Sequence, residues 1–145
     1  MGESVVINAS TVDAGWLTDA LADDADGARV TGFTATSIGT GQVGENVRFV
    51  LDWDRDDPAL PASVVAKFPS ASDVSREAAK LTGTYVREVG FYRDLRHHVT
   101  MAVPEVHRVD WDPETHEFAI LMNDLRDSEQ GDQIAGCPLP VAETV

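Results

Sequence analysis

One stretch of the chain decides how the fold is interpreted: Ile38-Gly39-Thr40-Gly41-Gln42-Val43-Gly44-Glu45-Asn46-Val47-Arg48-Phe49-Val50-Leu51. Its glycines have G-x-G-x-x-G spacing, and because glycine tolerates positive φ and adds no side chain, such a loop can approach phosphates closely. A dinucleotide-binding fold would need a helix directly after these glycines. Instead, Val47, Phe49 and Leu51 alternate with residues that are mostly polar, which predicts a strand. The stretch therefore predicts two strands joined by a glycine loop, which is either a flap over a nucleotide or an ordinary hairpin turn.

Composition places the chain among globular proteins of one domain. Its 145 residues are 43% hydrophobic and 25% charged, and the formal net charge is −14. Because eleven basic residues are scattered among twenty-five acids, we expect neither a nucleic-acid partner nor binding to an anionic membrane surface. Cys137 is the single cysteine, which excludes an intrachain disulfide. Since no signal peptide is visible and no apolar run approaches the roughly 20 residues of a membrane span, we expect a cytoplasmic protein.

A lysine stands inside the third predicted strand, Ser63 to Phe68. Strand alternation places Lys67 and Val65 on one face of this strand and its other apolar residues on the opposite face. Buried lysines are rare unless they are paired. Lys67 therefore either lies in water on an edge strand or has an acidic partner.

A helix predicted from Ser72 to about His98, with Gly83 as a break, supplies a candidate partner. In its second half, Glu88 shares a stripe with apolar residues at i+3, i+4 and i+7. These residues are Phe91, Tyr92 and Leu95. Because an acid on an apolar stripe is the partner that a strand lysine requires, we predict an ion pair between Lys67 and Glu88. Glu77 is the competing partner, but its neighbours give a weaker apolar face.

The remaining elements surround this central part of the chain. A first helix is predicted from Ser10 to Asp24, with Ser10 and Asp13 as a capping box, inside an N-terminal helical extension of residues 1–27. Two more strands, Val103–Trp111 and Glu117–Met122, follow the long helix. A polar, glycine-containing connector comes next.

Taken in order, the predicted elements resemble the N-terminal lobe of the kinase-like phosphotransferases. The motifs are similar to those of one branch, the aminoglycoside-phosphotransferase and ecdysteroid-kinase-like family. The segments that carry the resemblance cover most of residues 35–140 and are, in chain order, Gly39-Thr40-Gly41-Gln42-Val43-Gly44-Glu45-Asn46-Val47-Arg48-Phe49, Val65-Ala66-Lys67-Phe68-Pro69-Ser70, Tyr85-Val86-Arg87-Glu88-Val89-Gly90-Phe91-Tyr92, Val103-Pro104, Ile120-Leu121-Met122-Asn123-Asp124-Leu125 and Gly131-Asp132-Gln133-Ile134-Ala135-Gly136-Cys137.

The resemblance implies a nucleotide site on one face of the sheet. Lys67 would contact the α- and β-phosphates of ATP, and Glu88 would hold that lysine in place. Val65 would lie under the adenine ring, and the backbone of a hinge, Met122–Leu125, would meet the adenine edge. The other cofactor-binding residues that the resemblance implies belong to the loop over the phosphates and to the hinge: Gly39, Thr40, Gly41, Gly44, Asn46, Met122, Asn123 and Leu125.

Two positions depart from the pattern that the resemblance implies. Asn46 stands where a protein-kinase glycine loop has valine, and Asn123 stands where the family's hinge commonly has glutamate, which removes one acid at the hinge. The segment His107-Arg108-Val109-Asp110 is similar to the H-R-D motif of a catalytic loop. It has an extra residue and lies in a predicted strand before the hinge, so we do not expect it to be a catalytic loop.

The predicted fold is α+β: about five antiparallel strands with a helix pair on one face, as in a kinase-like N-lobe. Residues 28–123 would form the nucleotide-binding lobe, and residues 124–145 the hinge and the start of a catalytic lobe that this chain lacks. The resemblance implies an ATP-dependent phosphotransferase that acts with Mg²⁺ on a small-molecule hydroxyl. Its base and metal ligands would lie outside this chain, so we expect no turnover from the chain alone.

Two alternatives to this function stay open. The chain could be a non-catalytic module or fragment that pairs with another protein or self-associates through the exposed hinge side, since exposed apolar patches mark partner sites. It could also be an unrelated α+β binding domain, in which Lys67 and Glu88 would lie apart.

Overall fold

A computed structural model describes residues 7–39, 43–128 and 134–143, and its strands form one antiparallel sheet. In chain order the strands are β1 (Val30–Ile38), β2 (Gly44–Trp53), β3 (Ser63–Pro69), β4 (Val106–Trp111) and β5 (Phe118–Asn123). Their order across the sheet is β1-β2-β3-β5-β4, so the β1–β2–β3 meander joins the β4–β5 hairpin through β3 and β5. The predicted α+β class and the five antiparallel strands are confirmed.

Short helices accompany the sheet. In the described part of the chain they are α1 (Ala14–Ala20), α2 (Ala22–Ala25), α3 (Asp73–Thr82), α4 (Thr84–Gly90) and α5 (Leu139–Ala142). A π-helical turn, Phe91–Leu95, and a 3₁₀ turn, Arg96–His98, continue α4. None of the described helices is long and apolar enough to cross a membrane.

Strand alternation sorts the apolar residues of the sheet onto two faces. On the first face, Phe49 of β2 and Val64 of β3 are fully buried in a cluster with Leu17 and Leu21 at the N-terminal helices. Burial of a side chain of this size contributes about 1.5–3 kcal/mol relative to leaving it in water. This layer therefore anchors the N-terminal helices to the sheet.

The second face carries the helix pair α3–α4. Tyr85 and Val89 of α4 are buried together with Phe118 and Ile120 of β5. Gly83 separates the two helices with φ +67°, in the left-handed region that glycine adopts without strain. The predicted break at Gly83 is confirmed, and the pair packs on one face of the sheet as expected.

The start of α1 differs from the predicted capping box. Asp13, rather than Ser10, caps the helix, because its carboxylate accepts a hydrogen bond from the Trp16 N–H at 2.8 Å. Ser10 belongs to the turn before the helix, where its N–H donates to the side chain of Asn8 at 3.0 Å. An acidic N-cap both satisfies a free helical N–H and complements the positive end of the helix dipole.

The predicted apolar stripe on the second half of the long helix is wrong at its far end. Leu95, expected on the same stripe as Glu88, is 55% exposed. The cause is the π-helical turn Phe91–Leu95, in which each turn contains an extra residue. Positions after Gly90 are therefore rotated relative to α4, and the α-helical spacing no longer describes them.

The segment His107-Arg108-Val109-Asp110 lies in β4 and contacts the N-terminal helices. The Nδ1 atom of His107 is 2.7 Å from the Asp24 carboxylate, and the Arg108 guanidinium lies 5.6 Å from the centre of the Trp16 ring. These contacts hold α1 and α2 against the edge strand. The predicted strand position of this H-R-D-like segment is confirmed, and its histidine and arginine serve packing contacts.

Candidate functional site

An open cleft of about 440 Å³ lies beside β2, β3 and the segment after β5. Six of the predicted cofactor-binding residues line it: Asn46, Val65, Lys67, Met122, Asn123 and Leu125. The sheet register explains their convergence, because Asn46 pairs with Lys67 and Val65 pairs with Met122. Paired residues on neighbouring strands point to the same face, so these four side chains leave the sheet together.

Lys67 and Glu88 form an ion pair at the wall of this cleft. Lys67 comes from β3 and Glu88 from α4, and each side chain is 25% exposed. The predicted pair is confirmed, whereas Glu77 bonds Lys80 at 3.2 Å on the same helix, α3. The alternative of an unrelated domain required Lys67 and Glu88 to lie apart, and they are in contact.

The cleft also has an apolar part. Val65 and Met122, a register pair on β3 and β5, are almost completely buried, and the partly buried Ile38 and Tyr92 pack against the same cluster. Val65 stands two residues before Lys67 on the same face of β3, so their Cα atoms are about 6.5 Å apart along the strand. An apolar floor beside a cationic side chain suits a ligand with a flat apolar group on one side and an anionic group on the other.

The two ends of the glycine-rich hairpin have a backbone explanation. Gly39 follows β1 with φ +77°, a conformation that favours glycine. At Gly44, a Cβ atom would lie 3.1 Å from the carbonyl oxygen of Phe68, so glycine lets β2 approach β3 closely. Thr40 and Gly41, which were predicted to contact the cofactor, lie outside the described residues.

Asn123, which stands at the predicted hinge, holds the segment before β4. Its side-chain Oδ1 accepts a hydrogen bond from the Glu105 N–H at 2.8 Å, and its own N–H donates to the Glu105 carbonyl at 2.9 Å. These bonds continue the pairing of β4 and β5 by one residue beyond Val106 and Met122. A neutral amide provides this contact without placing another charge at the cleft.

Asp124, which lies in the predicted hinge but is not among the predicted cofactor-binding residues, is the centre of a polar cluster at the cleft. Its carboxylate accepts hydrogen bonds from Arg48 at 2.7 and 3.0 Å, from the Ser63 hydroxyl at 2.6 Å and from Arg126 at 3.1 Å. The side chain is only 4% exposed. Asp124 therefore ties the segment after β5 to both β2 and β3.

The surroundings of Asp124 keep its carboxylate charged. Burial alone would raise the pKa of Asp124, but hydrogen bonds from Arg48, Ser63 and Arg126, together with the charge of Arg48, outweigh burial and hold this pKa well below its ordinary value. The bond to Asp124 likewise raises the pKa of Arg48, and this effect exceeds that of desolvation.

A signal for Arg48 was present in the sequence. Arg48 stands two residues after Asn46 in a strand, so it must share the face on which Asn46 and Lys67 lie. The bonds of Asp124 to Arg48 and Ser63 had no such signal, because these partners come from strands that are distant in the chain. Sequence periodicity reports which face a residue occupies, but it does not report contacts between segments.

The cations of the cleft are held in place by carboxylates. Arg48 is bound by Asp124 and Lys67 by Glu88, so an anionic ligand would meet donors that are already oriented. Within residues 7–39, 43–128 and 134–143, no group of three or more His, Cys, Asp or Glu side chains is placed to hold a metal ion.

No protein-family model matches this chain, and no curated protein matches its sequence. The functional inference therefore depends on the residues of the cleft themselves. These residues provide an oriented ammonium and an apolar floor, and Ile38 of β1 and Asn46 of β2 line the same cleft.

Proposed function

We propose that the cleft binds ATP and that the chain is the nucleotide-binding lobe of a phosphotransferase acting on a small-molecule hydroxyl. The observation that carries this proposal is the Lys67–Glu88 ion pair at the wall of a cleft whose floor is Val65 and Met122. A paired lysine and an apolar floor in one cleft offer a cation to the phosphates of a nucleotide and an apolar surface to its base. The resemblance of the motifs to kinase-like phosphotransferases points to the same ligand.

Each residue of the cleft then has a physical role. The Lys67 ammonium supplies a point charge to the α- and β-phosphates, and Glu88 restricts where that charge lies. Val65 and Met122 supply the apolar surface for the adenine ring, and Asn123 and Leu125 border its edge. Mg²⁺ would neutralise the phosphate oxygens when it enters with the nucleotide. We assign nucleotide binding to this chain, and metal coordination and activation of the hydroxyl to groups outside it.

Calorimetric titration of the chain with ATP and Mg²⁺ tests the proposal. Lys67→Ala should weaken binding at least tenfold, about 1.4 kcal/mol, because the phosphates lose their point charge. Glu88→Gln should weaken it about threefold to tenfold, because the ammonium loses its orienting charge. Lys80→Ala is the matched control, since it removes a lysine from an ion pair on α3 that is not among the cleft-lining residues. Equal affinities of the Lys67 and Lys80 variants would refute the proposal.

A turnover measurement tests whether the base and the metal ligands lie outside this chain. The purified chain, given ATP, Mg²⁺ and a set of hydroxyl acceptors, should transfer no phosphoryl group. A transfer rate that Lys67→Ala abolishes would show that the chain holds its own base and metal ligands. In that case the assignment of those groups to another part of the enzyme would be wrong.

A non-catalytic module that pairs with a second copy of itself is the second candidate. The observation in its favour is that Leu125 at the cleft rim and Leu139 of α5 expose much of their side chains to solvent. Size-exclusion chromatography with light scattering at several concentrations separates the two candidates. A stable dimer without measurable ATP binding favours the module, whereas a monomer that binds ATP favours the nucleotide lobe.

A further inference from the structure

A buried tyrosine joins the glycine-rich hairpin to the helix that carries Glu88. Tyr85 of α4 is 1% exposed, and its ring packs edge-to-face on Phe118 with centroids 5.0 Å apart. Its hydroxyl donates a hydrogen bond to the Val43 carbonyl at 2.6 Å and accepts one from the Ser70 N–H at 3.0 Å. One oxygen atom therefore links α4, the hairpin and the end of β3.

The hydroxyl stands where the β2–β3 ladder ends. Gly44 pairs with Pro69 at the last position of the ladder, so Val43 and Ser70 would be the next pair. Instead of bonding each other, the Val43 carbonyl and the Ser70 N–H both bond the tyrosine hydroxyl. The position of this arm of the hairpin is thereby set by α4 as well as by β3.

The same helix sets the position of the lysine. Glu88 follows Tyr85 by three residues, about one helical turn, within the seven-residue helix α4. Glu88 contacts Lys67, and Tyr85 contacts the backbone at Val43. The backbone at Val43, next to the start of β2, and the cleft residue Lys67 of β3 are therefore attached to one helix, and a movement of α4 would displace both.

We propose that Tyr85 is a positioning residue for the phosphate end of the cleft. Its hydroxyl holds the Val43 arm of the hairpin in a fixed relation to Lys67, while the tyrosine itself does not touch the ligand. This inference rests on the proposed nucleotide function, and it assigns a residue whose loss affects the phosphates and spares the base. A purely structural tyrosine would not discriminate between these two parts of the ligand.

Tyr85→Phe isolates the hydroxyl. The variant keeps the ring and its contact with Phe118, so the packing of α4 is preserved, but two backbone groups lose their partner. Calorimetric titration should show about fivefold to tenfold weaker binding of ATP with Mg²⁺. The affinity for adenosine, which carries no phosphate, should stay within about twofold of the wild-type value.

Thr18→Val is the matched control on the opposite face of the sheet. The Thr18 hydroxyl makes the same kind of bridge, since it donates to the Ala14 carbonyl at 2.8 Å and accepts from the Val30 N–H at 3.0 Å. Its loss should lower the midpoint of thermal unfolding to a similar extent as Tyr85→Phe, yet leave the ATP affinity unchanged. Equal losses of ATP and adenosine affinity in Tyr85→Phe, or a loss of ATP affinity in Thr18→Val, would overturn the proposal.

Hydrogen exchange followed by NMR separates this proposal from the nucleotide function. In the ligand-free protein, Tyr85→Phe should accelerate exchange of the Ser70 amide at least tenfold, while the amides at the centre of the β2–β3 ladder are unchanged. Wild-type protein that fails to bind ATP would refute the proposed function. The bridge that the Tyr85 hydroxyl forms between Val43 and Ser70 would then be tested by the exchange rate of the Ser70 amide alone. Unchanged exchange at Ser70 would refute the bridge whether or not ATP binds.

Discussion

The two carboxylates near the cleft hold their cations in different ways. Glu88 pairs with Lys67, and a quarter of each side chain is open to water. Asp124 accepts hydrogen bonds from two arginines and a serine hydroxyl while being almost completely buried. One arrangement is a simple pair at the cleft wall, and the other is a satisfied cluster that joins three segments of the chain.

This difference distinguishes a carboxylate that orients a cation with free donors from a carboxylate that stabilises the fold. An ammonium has three N–H donors, so Lys67 can bond Glu88 and still meet an anion. The Asp124 carboxylate has most of its acceptor capacity filled by protein donors, and a ligand would have to displace them. We therefore expect loss of Asp124 to affect mainly stability, and loss of Glu88 to affect mainly ligand binding.

The largest effect is expected from Asp124→Ala. The substitution leaves Arg48 and Ser63 without their acceptor and removes several hydrogen bonds to a buried carboxylate at once. We expect the free energy of unfolding to fall by about 2–3 kcal/mol, measured by urea denaturation. Glu88→Ala should reduce it by less than about 1 kcal/mol, because its pair is partly solvated. Equal losses in the two variants would remove the distinction between the carboxylates.

The second effect concerns the energetic coupling between Glu88 and Lys67 at the cleft. If Glu88 acts only by orienting Lys67, Glu88→Gln should weaken ATP binding about fivefold in the wild type and have no further effect in Lys67→Ala. Titrations of the two single variants and the double variant provide the cycle. Additive losses would mean that Glu88 acts on the ligand independently of the lysine.

The third effect is a pH dependence of stability. Because the pKa of Asp124 is lower in the folded chain than its unfolded value of about 3.9, the unfolded state binds the proton more readily at acid pH. The contribution of Asp124 is therefore complete above about pH 5 and is lost as the pH falls through its folded pKa. Urea denaturation between pH 7 and pH 3 should show a shallower loss for Asp124→Asn than for the wild type.

Asp112 provides the comparison for this pH series. Its pKa is also lowered, first by the hydrogen bond from the Glu114 N–H and then by the hydroxyl of Thr115, although Asp112 lies in the β4–β5 turn away from the cleft. Asp112→Asn should remove the contribution of Asp112 to the pH dependence of the free energy of unfolding. The contribution of Asp124 should remain. If Asp124→Asn keeps the full pH dependence of the wild-type free energy of unfolding, the cluster does not lower the pKa of Asp124 as described.

The smallest effect is expected at the exposed pair of Lys80 and Glu77. Pairs of this kind contribute little because solvent screens them, so Lys80→Ala should change the free energy of unfolding by less than about 0.5 kcal/mol. A larger loss would show that exposed pairs on α3 are not a valid reference for the Lys67–Glu88 pair. Urea denaturation of the Lys80→Ala variant therefore provides the reference value for an exposed ion pair, against which the Lys67–Glu88 pair is compared.

Much of the fold could be predicted where local chemistry and packing agree. The alternation of Val47, Phe49 and Leu51 predicts β2 and its buried face, and both are present. The pairing of Lys67 with Glu88 could be predicted because a charge on an apolar face of each element required a partner. Leu95 could not be placed correctly, since a π-helical turn changes the helical spacing without a signal in residue type.

The sequence by itself determined the faces of the strands and the break at Gly83, and it favoured Glu88 over Glu77 as the partner of Lys67. These features depend on side-chain periodicity, backbone freedom and the need to neutralise a charge, all of which are properties of the residue types within each element. Only the tertiary structure decided that Asp124 is held by Arg48 and Ser63 and that the Tyr85 hydroxyl bridges Val43 and Ser70. Those bonds join segments that are distant in the chain, and they exist only after the sheet and α4 have brought donors and acceptors together.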